Sequence, residues 1–298
     1  MARRCSKLRE PVFRGAATAL VTPFCGGEID FSALDRLLAM QLEAKIAALV
    51  VTGTTGEAST LSIEEKEALW RHCVAFVGGQ AVVIAGVGTN CTETSAQLAA
   101  LARHCGVDAL LAVTPYYNKC TQGGLVAHYT AIAEAGELPL IVYNVPSRTG
   151  VDLRAETCLA LSRHPNIVGV KEASGSLSRA AEILHLCGAE FSLWSGNDDL
   201  VTATMALGGQ GVISVLSNVC PKAVVKMTQS ALDGDFQTSA ALQLRYLPLI
   251  QALFSEVNPI PVKAALHQCG ICGSELRLPL TPISPANAAR LQDALRDL

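Results

Sequence analysis

The chain has 298 residues, half of them hydrophobic and 16% charged, which is enough apolar material for one large domain or two ordinary ones. Its formal net charge of -3, without a block of like charges, argues against nucleic acid or an anionic membrane surface as a partner. No apolar run reaches the roughly 18 residues of a membrane span, and the basic N-terminus lacks the apolar core of a secretory signal.

Short apolar runs rich in β-branched residues recur along the chain and predict strands. Eight such runs begin at Gly15, Ala47, Ala81, Asp108, Leu138, Asn166, Phe191 and Gly209. Segments with helical periodicity lie between them, at 31–45, 62–77, 96–104, 125–134, 153–163 and 178–186. Ser62 with Glu65 three residues later has the pattern of a capping box at a helix start.

This alternation predicts parallel strands joined by right-handed crossovers. Eight units favour a closed (β/α)8 TIM barrel over residues 1–231. An open doubly wound sheet is the alternative, but no G-x-G-x-x-G follows the first strand. Residues 232–298 lack strand patterning and predict a C-terminal helical region, packed on the barrel or on a neighbouring subunit, with helices at 242–254, 262–268 and 286–295.

The eleven cysteines are odd in number and scattered through apolar segments. This pattern favours reduced, buried thiols in a cytoplasmic protein over a disulfide framework. Cys269 and Cys272 form a C-x-x-C pair, with His267 just before it. A structural zinc site needs four ligands, and the chain has no second pair at zinc-ribbon spacing, so we predict no metal there.

Lys171 is the anomalous residue of the sixth predicted strand, NIVGVKEAS. Because side chains alternate along a strand, Ile167, Gly169 and Lys171 share one face, which is apolar until the amine. Gly169 is expected to leave room beneath the ammonium group. Lys171 is interpreted either as a snorkelling lysine at the strand end or as a desolvated amine that attacks carbonyl carbon.

Other strand ends carry hydroxyl groups and one arginine. The carboxyl ends of barrel strands meet on one rim, where function collects in this architecture. Each residue also has a purely structural interpretation, such as a turn, a packing aromatic or a solvated charge. Their convergence on one rim favours a site, and its members are Thr54, Thr55, Tyr116, Tyr117, Tyr143 and Arg148.

Carbonyl chemistry through a lysine needs these groups. An amine attacks a ketone, the carbinolamine hydroxyl must be protonated to leave as water, and the enamine must then receive an electrophile. A tyrosine hydroxyl can shuttle the protons, and an arginine can hold a carboxylate. No histidine ends a predicted strand and no acidic cluster lies on the rim, so neither a metal nor another cofactor is predicted.

The motifs GTTGE, VTPYYN, YNVPSRTG, VGVKEASG and GVISV follow one another in this order from strand two to strand eight. With NPIPVK at 258–263, they resemble the dihydrodipicolinate synthase family of pyruvate-dependent Schiff-base aldolases over nearly the whole chain. The resemblance implies pyruvate and L-aspartate 4-semialdehyde as substrates and the cyclic precursor of diaminopimelate and lysine as product. It also implies a homotetramer built as a dimer of dimers.

The resemblance assigns roles to individual residues. Lys171 matches the Schiff-base lysine, and Tyr143 matches the general acid and base. Tyr143 is assisted by Thr55 and by Tyr117, which in the family reaches in from the neighbouring subunit. The remaining matches concern substrate binding. Thr54 and Thr55 match the threonine pair that holds the pyruvyl carboxylate, and Arg148 matches the arginine that positions the second substrate. Gly196 and Ile213 match positions whose backbone groups line the pyruvate end.

Two alternatives remain open. N-acetylneuraminate lyase and the sugar-acid aldolases or dehydratases share the lysine and the tyrosine, whereas Arg148 and the second threonine of GTTG favour the synthase. A non-catalytic binding barrel would be expected to lack Lys171, Tyr143 or Thr55, and all three are present.

Family members inhibited by lysine bind it with polar residues at a subunit interface. The matching positions here form a degenerate regulatory site: Ala58, Ser59, Ile63, Lys66, Asn90 and Thr94, with Tyr116 nearby. Ile63 cannot form a hydrogen bond, Lys66 repels an ammonium group, and Thr94 has no carboxylate. We therefore expect weak or absent inhibition by lysine.

Overall fold

The computed structural model describes residues 10–296, so the predicted absence of a secretory signal and Cys5 fall on residues outside that range. Eight parallel strands close into a barrel, since the first strand pairs with both the second and the last. The predicted TIM barrel is confirmed, and the open sheet was wrong. The barrel strands are β1 (Gly15–Ala19), β4 (Ala48–Val51), β5 (Val82–Gly86), β6 (Ala109–Val113), β7 (Leu140–Asn144), β8 (Ile167–Glu172), β9 (Ser192–Ser195) and β10 (Gly211–Ser214).

A small antiparallel hairpin of β2 (Phe24–Cys25) and β3 (Glu28–Ile29) follows the first strand. The helices that accompany the barrel are α1 (Phe31–Glu43), α2 (Ile63–Val77), α3 (Thr92–His104), α4 (Gln122–Gly136), α5 (Pro146–Thr149), α6 (Ala155–Leu161), α7 (Leu177–Cys187), α8 (Val201–Ala206) and α9 (Pro221–Leu232). Short 3-10 turns lie at Ala58–Thr60, Gly188–Glu190, Asp198–Leu200 and Leu216–Asn218.

Helix α2 begins with the predicted capping box, because Ser62 and Glu65 each bond the other's backbone N–H. The sequence prediction missed α9, although Pro221 occupies the first helical turn, a position where proline favours a helix start. The C-terminal region forms α10 (Phe236–Leu253), α11 (Ile260–Gln268) and α12 (Pro285–Arg296), with α10 packed against α9.

Two apolar layers stabilise the barrel. One lies between the strands and the surrounding helices, and the other fills the barrel interior. Just before β1, Phe13 stacks on Trp194 of β9 with ring centroids 5.0 Å apart, and the Trp194 indole N–H donates to the Phe13 carbonyl. This aromatic pair belongs to the apolar cluster that fills the barrel interior.

None of the helices within residues 10–296 has the length and apolarity needed to cross a bilayer. All ten cysteines of this range are free. Contrary to the prediction of buried thiols, Cys25, Cys91 and Cys269 are exposed.

Candidate active site

Lys171 lies near the carboxyl end of β8, paired in register with Tyr143 of β7 and Trp194 of β9. Only 6% of the residue is exposed, so the amine does not snorkel to solvent. Its Nζ lies 4.3 Å from the centroid of the Tyr143 ring. Burial lowers the pKa of Lys171 to about 8, with the Arg148 charge adding to this effect and Asp198 opposing it. Near neutral pH, a far larger fraction of this amine than of an ordinary lysine is therefore uncharged and nucleophilic.

Gly196, and not Gly169, provides the space beside the lysine. A Cβ at Gly196 would lie 3.0 Å from Lys171 Cε and would also crowd Ala173. A Cβ at Gly169 would instead collide with the Ser192 carbonyl on β9. The expectation that Gly169 leaves room for the ammonium was wrong, because the adjacent strand occupies that space.

Asp198 is a buried acid of the site that the sequence prediction did not single out. One carboxylate oxygen accepts hydrogen bonds from the backbone N–H groups of Val215 and Leu216, both at 2.9 Å. Burial raises the pKa of Asp198, while hydrogen bonds from Ser214 and these two amides and the Lys171 charge oppose the rise. Its position after a barrel strand, in Ser195 to Asp198, was the signal that could have identified it.

Tyr143 is the second-last residue of β7 and is 8% exposed. Burial raises the pKa of its phenol, against the Arg148 charge and a hydrogen bond with the Thr54 hydroxyl, while Glu172 contributes to the rise. The phenol is thus protonated at neutral pH and can donate a proton. The hydroxyl that contacts it belongs to Thr54, whereas Thr55 was predicted to assist.

Thr55 faces the C-terminal region instead. Its hydroxyl accepts a hydrogen bond from Asn258 Nδ2 at 2.9 Å, and only 3% of the residue is exposed. The backbone carbonyl of Asn258 in turn accepts a 3.4 Å hydrogen bond from the guanidinium of Arg148. Arg148 is exposed at the mouth of the barrel. Asn258 thereby connects two predicted site residues, a link that spans 203 residues of sequence.

A cavity of about 820 Å³ opens at the carboxyl ends of the strands. It brings together most of the predicted catalytic and binding residues, namely Thr54, Thr55, Tyr143, Arg148, Lys171 and Gly196. Four positions of the predicted regulatory site also line it, namely Ala58, Ser59, Lys66 and Tyr116.

Five predicted residues lie outside this cavity lining. Ile213 is fully buried in the barrel interior. Val215, two residues later, lines the cavity. Tyr117 is 85% exposed with a φ of +77°, a conformation that non-glycine residues rarely adopt. The other three are Ile63, Asn90 and Thr94, which lie at the surface or are half-buried.

The arrangement suits imine chemistry, since it combines a buried amine of lowered pKa, a protonated phenol and hydroxyl groups around one cavity. Among residues 10–296, no group of three or more His, Cys, Asp or Glu side chains is placed to hold a metal ion.

Known proteins are similar to this chain along almost its full length. The 4-hydroxy-tetrahydrodipicolinate synthase of Alkaliphilus oremlandii is 49% identical over 96% of this chain and 98% of that protein. The crystal structure of dihydrodipicolinate synthase from Thermotoga maritima has a TM-score of 0.95 at 43% identity, covering 96% of this chain and 99% of that one.

A third similar protein is the chloride-inhibited dihydrodipicolinate synthase from Acinetobacter baumannii, solved in complex with pyruvate. It is 42% identical with a TM-score of 0.94, over 95% of this chain and 98% of that one. The model of the dihydrodipicolinate synthetase family matches residues 12–298. On this match and these identities, the chain belongs to the dihydrodipicolinate synthetase family.

Proposed function

We propose that the protein is a 4-hydroxy-tetrahydrodipicolinate synthase that condenses pyruvate with L-aspartate 4-semialdehyde in the pathway to diaminopimelate and lysine. The observation that carries the proposal is the buried amine of Lys171, with Nζ 4.3 Å from the ring centroid of Tyr143 inside the cavity. Relatives that bear this name at 46–49% identity support the choice of substrates.

The reaction begins when the neutral Lys171 amine attacks the ketone carbon of pyruvate. The Tyr143 phenol protonates the carbinolamine hydroxyl, which leaves as water, and the imine forms. Loss of a methyl proton gives an enamine, whose carbon attacks the aldehyde of the second substrate while the new alkoxide takes up a proton. The substrate's own amino group then adds to the imine carbon, which closes the ring and releases Lys171.

Tyr143 needs a route for its protons. Thr54 is the first partner in this relay, supported by the hydrogen bond to the phenol. Thr55 holds the loop through Asn258 and, with Thr54, offers groups to the pyruvyl carboxylate. Gly196, which has no side chain, leaves space for the pyruvyl group. Backbone groups of the buried residue Ile213 on β10 are assigned to the same end of the bound pyruvate.

The second substrate enters past Arg148. This exposed guanidinium at the mouth suits the carboxylate of L-aspartate 4-semialdehyde, since its planar fork can bind both oxygens. Tyr117 completes the relay in a neighbouring subunit of a homotetramer, a dimer of dimers. Its 85% exposure outside its own cavity supports a role in another copy. The enzyme works in the cytoplasm, and the free cysteines fit that reducing compartment.

A turnover assay tests the proposed substrates. Purified protein is given pyruvate with L-aspartate 4-semialdehyde and, separately, N-acetylneuraminate or sugar acids. We expect rapid consumption of the semialdehyde and at most trace cleavage of the others. Faster turnover of N-acetylneuraminate or of a sugar acid would replace the proposed substrate pair, and no turnover of any of them would favour a non-catalytic barrel.

L-lysine is expected to inhibit weakly or not at all. Ile63 exposes an apolar side chain at the predicted regulatory site. Lys66 lines the cavity and donates to the Leu61 carbonyl at 2.7 Å, and burial lowers its pKa although Glu65 opposes this effect. A cation at this position repels the ammonium groups of lysine. Titration of the initial rate with L-lysine checks the prediction, and inhibition at submillimolar concentration contradicts it.

Asp198→Asn is expected to move the acidic limb of kcat/KM for pyruvate to lower pH by roughly one unit. Asp198 favours the ammonium form of Lys171, so its loss lowers the pKa of Lys171 further below about 8 and leaves more free amine in acid. The asparagine oxygen can still accept from Val215 and Leu216. The adjacent exposed acid supplies the control, Asp199→Asn, which should leave the limb in place. A shift to higher pH contradicts the assignment.

A further inference from the structure

We propose that Lys263 of α11 is a positioning residue for the reaction. Its buried ion pair with Glu57 fixes the threonine loop, residues 52–57, which carries Thr54 and Thr55 into the cavity. The proposal rests on the proposed function, because it concerns how this loop meets pyruvate.

The threonine loop has an unfavourable backbone conformation. Thr52 and Glu57, at its two ends, have φ values of +57° and +55°, in the left-handed region that non-glycine residues avoid. Such a conformation persists only where surrounding contacts impose it. Thr52 is held from within the barrel, since its hydroxyl accepts from the Trp70 indole at 2.8 Å. The other end depends on the C-terminal region.

Glu57 is held by two groups of that region. Lys263 Nζ lies 2.6 Å from one carboxylate oxygen, and the backbone N–H of Arg277 donates to the other at 3.0 Å. The two side chains of the ion pair are 0% and 1% exposed. Lys263 Nζ also lies 4.2 Å from the centroid of the Phe24 ring. In this dry setting neither charge has water as a substitute partner, so the pair fixes the direction of the Glu57 side chain.

The same C-terminal segment holds the loop at a second point. Asn258, five positions before Lys263, donates to the Thr55 hydroxyl. The reacting threonines therefore lie on a loop that is strained at both ends and anchored from a region more than 200 residues away. A misplacement of a binding group by about 1 Å can reduce catalysis about a hundredfold. Lys263 touches no substrate in this scheme and acts through Glu57.

The experiment separates position from stability. Lys263→Met alone leaves Glu57 buried without its cation and is expected to destabilise the fold. The double variant Glu57→Gln with Lys263→Met removes both charges, and the glutamine oxygen can still accept from Arg277. We expect its thermal midpoint to return close to that of the wild type. We expect its KM for pyruvate to stay about tenfold above that of the wild type, with a lower kcat, because the ion pair that orients Glu57 and the threonine loop is absent.

Leu291→Ala is the matched control, since Leu291 is fully buried in α12 of the same C-terminal region and is neither a member of the ion pair nor of the threonine loop. We expect it to lower the thermal midpoint while KM for pyruvate stays within about twofold of the wild type. The proposal is overturned if the double variant keeps a wild-type KM, or if Leu291→Ala raises KM equally. An inactive wild type would instead refute the proposed function, so the two failures remain distinct.

Discussion

Lys171→Ala is expected to lower kcat/KM by about four orders of magnitude or more, because it removes the proposed nucleophile. The lysine is buried, 6% exposed, in the lining of the cavity, and burial lowers its pKa to about 8, as the proposed role requires. Borohydride added with pyruvate should reduce the imine and leave one stable pyruvyl group on the wild-type chain. Peptide mass mapping should locate that group on Lys171.

The control for this experiment is Lys222→Ala, which removes a surface lysine that is 70% exposed and paired with Glu43. This variant should keep both turnover and the adduct. The Schiff-base mechanism fails if the wild type forms no adduct, if the adduct maps to another lysine, or if Lys171→Ala retains substantial turnover.

Tyr143→Phe is expected to lower kcat by about two to three orders of magnitude. The substitution keeps the ring beneath the amine and removes the hydroxyl that is proposed to protonate the carbinolamine. Burial raises the pKa of this phenol, so it is protonated at neutral pH, and its ring centroid lies 4.3 Å from Lys171 Nζ. Imine trapping on Lys171 should slow with turnover, which rapid-quench borohydride reduction can measure.

Tyr129→Phe provides a matched control elsewhere in the chain. Tyr129 is fully buried, and its hydroxyl has no hydrogen-bond partner among residues 10–296. Removing this hydroxyl should leave kcat unchanged within about twofold and should not lower the thermal midpoint. A similar loss of activity in both variants would mean that the effect of Tyr143→Phe reflects packing and not proton transfer.

The sequence was sufficient for the barrel and for most of the residues at its rim. Each apolar run corresponds to a strand, because parallel strands covered by helices are buried on both faces and retain that pattern locally. Lys171 stood out because an amine is unexpected in a buried strand, whereas Tyr143 was selected by its convergence with other polar residues on the rim and by the family resemblance. Their pairing in register then follows from the barrel itself.

The remaining features depend on distances that local patterns do not encode. The contact of Asn258 with Thr55 joins residues 203 positions apart, and neither local sequence predicts contact with the other. Gly169 and Gly196 look equivalent along the chain, and only the path of the neighbouring strand decides which one borders the lysine. The choice between Thr54 and Thr55 depends likewise on the left-handed turn of their loop.

The aromatic pair of Phe13 and Trp194 has a kinetic consequence. Because the apolar cluster that contains this pair fills the barrel interior, we expect pyruvate, the water lost in imine formation, the aldehyde and the product all to use the cavity mouth at the carboxyl ends. Pyruvate has to bind first, since an aldehyde already at the mouth would obstruct both its entry and the departure of water. The enzyme should therefore follow an ordered scheme, in which excess aldehyde slows turnover by occupying the shared mouth of the cavity.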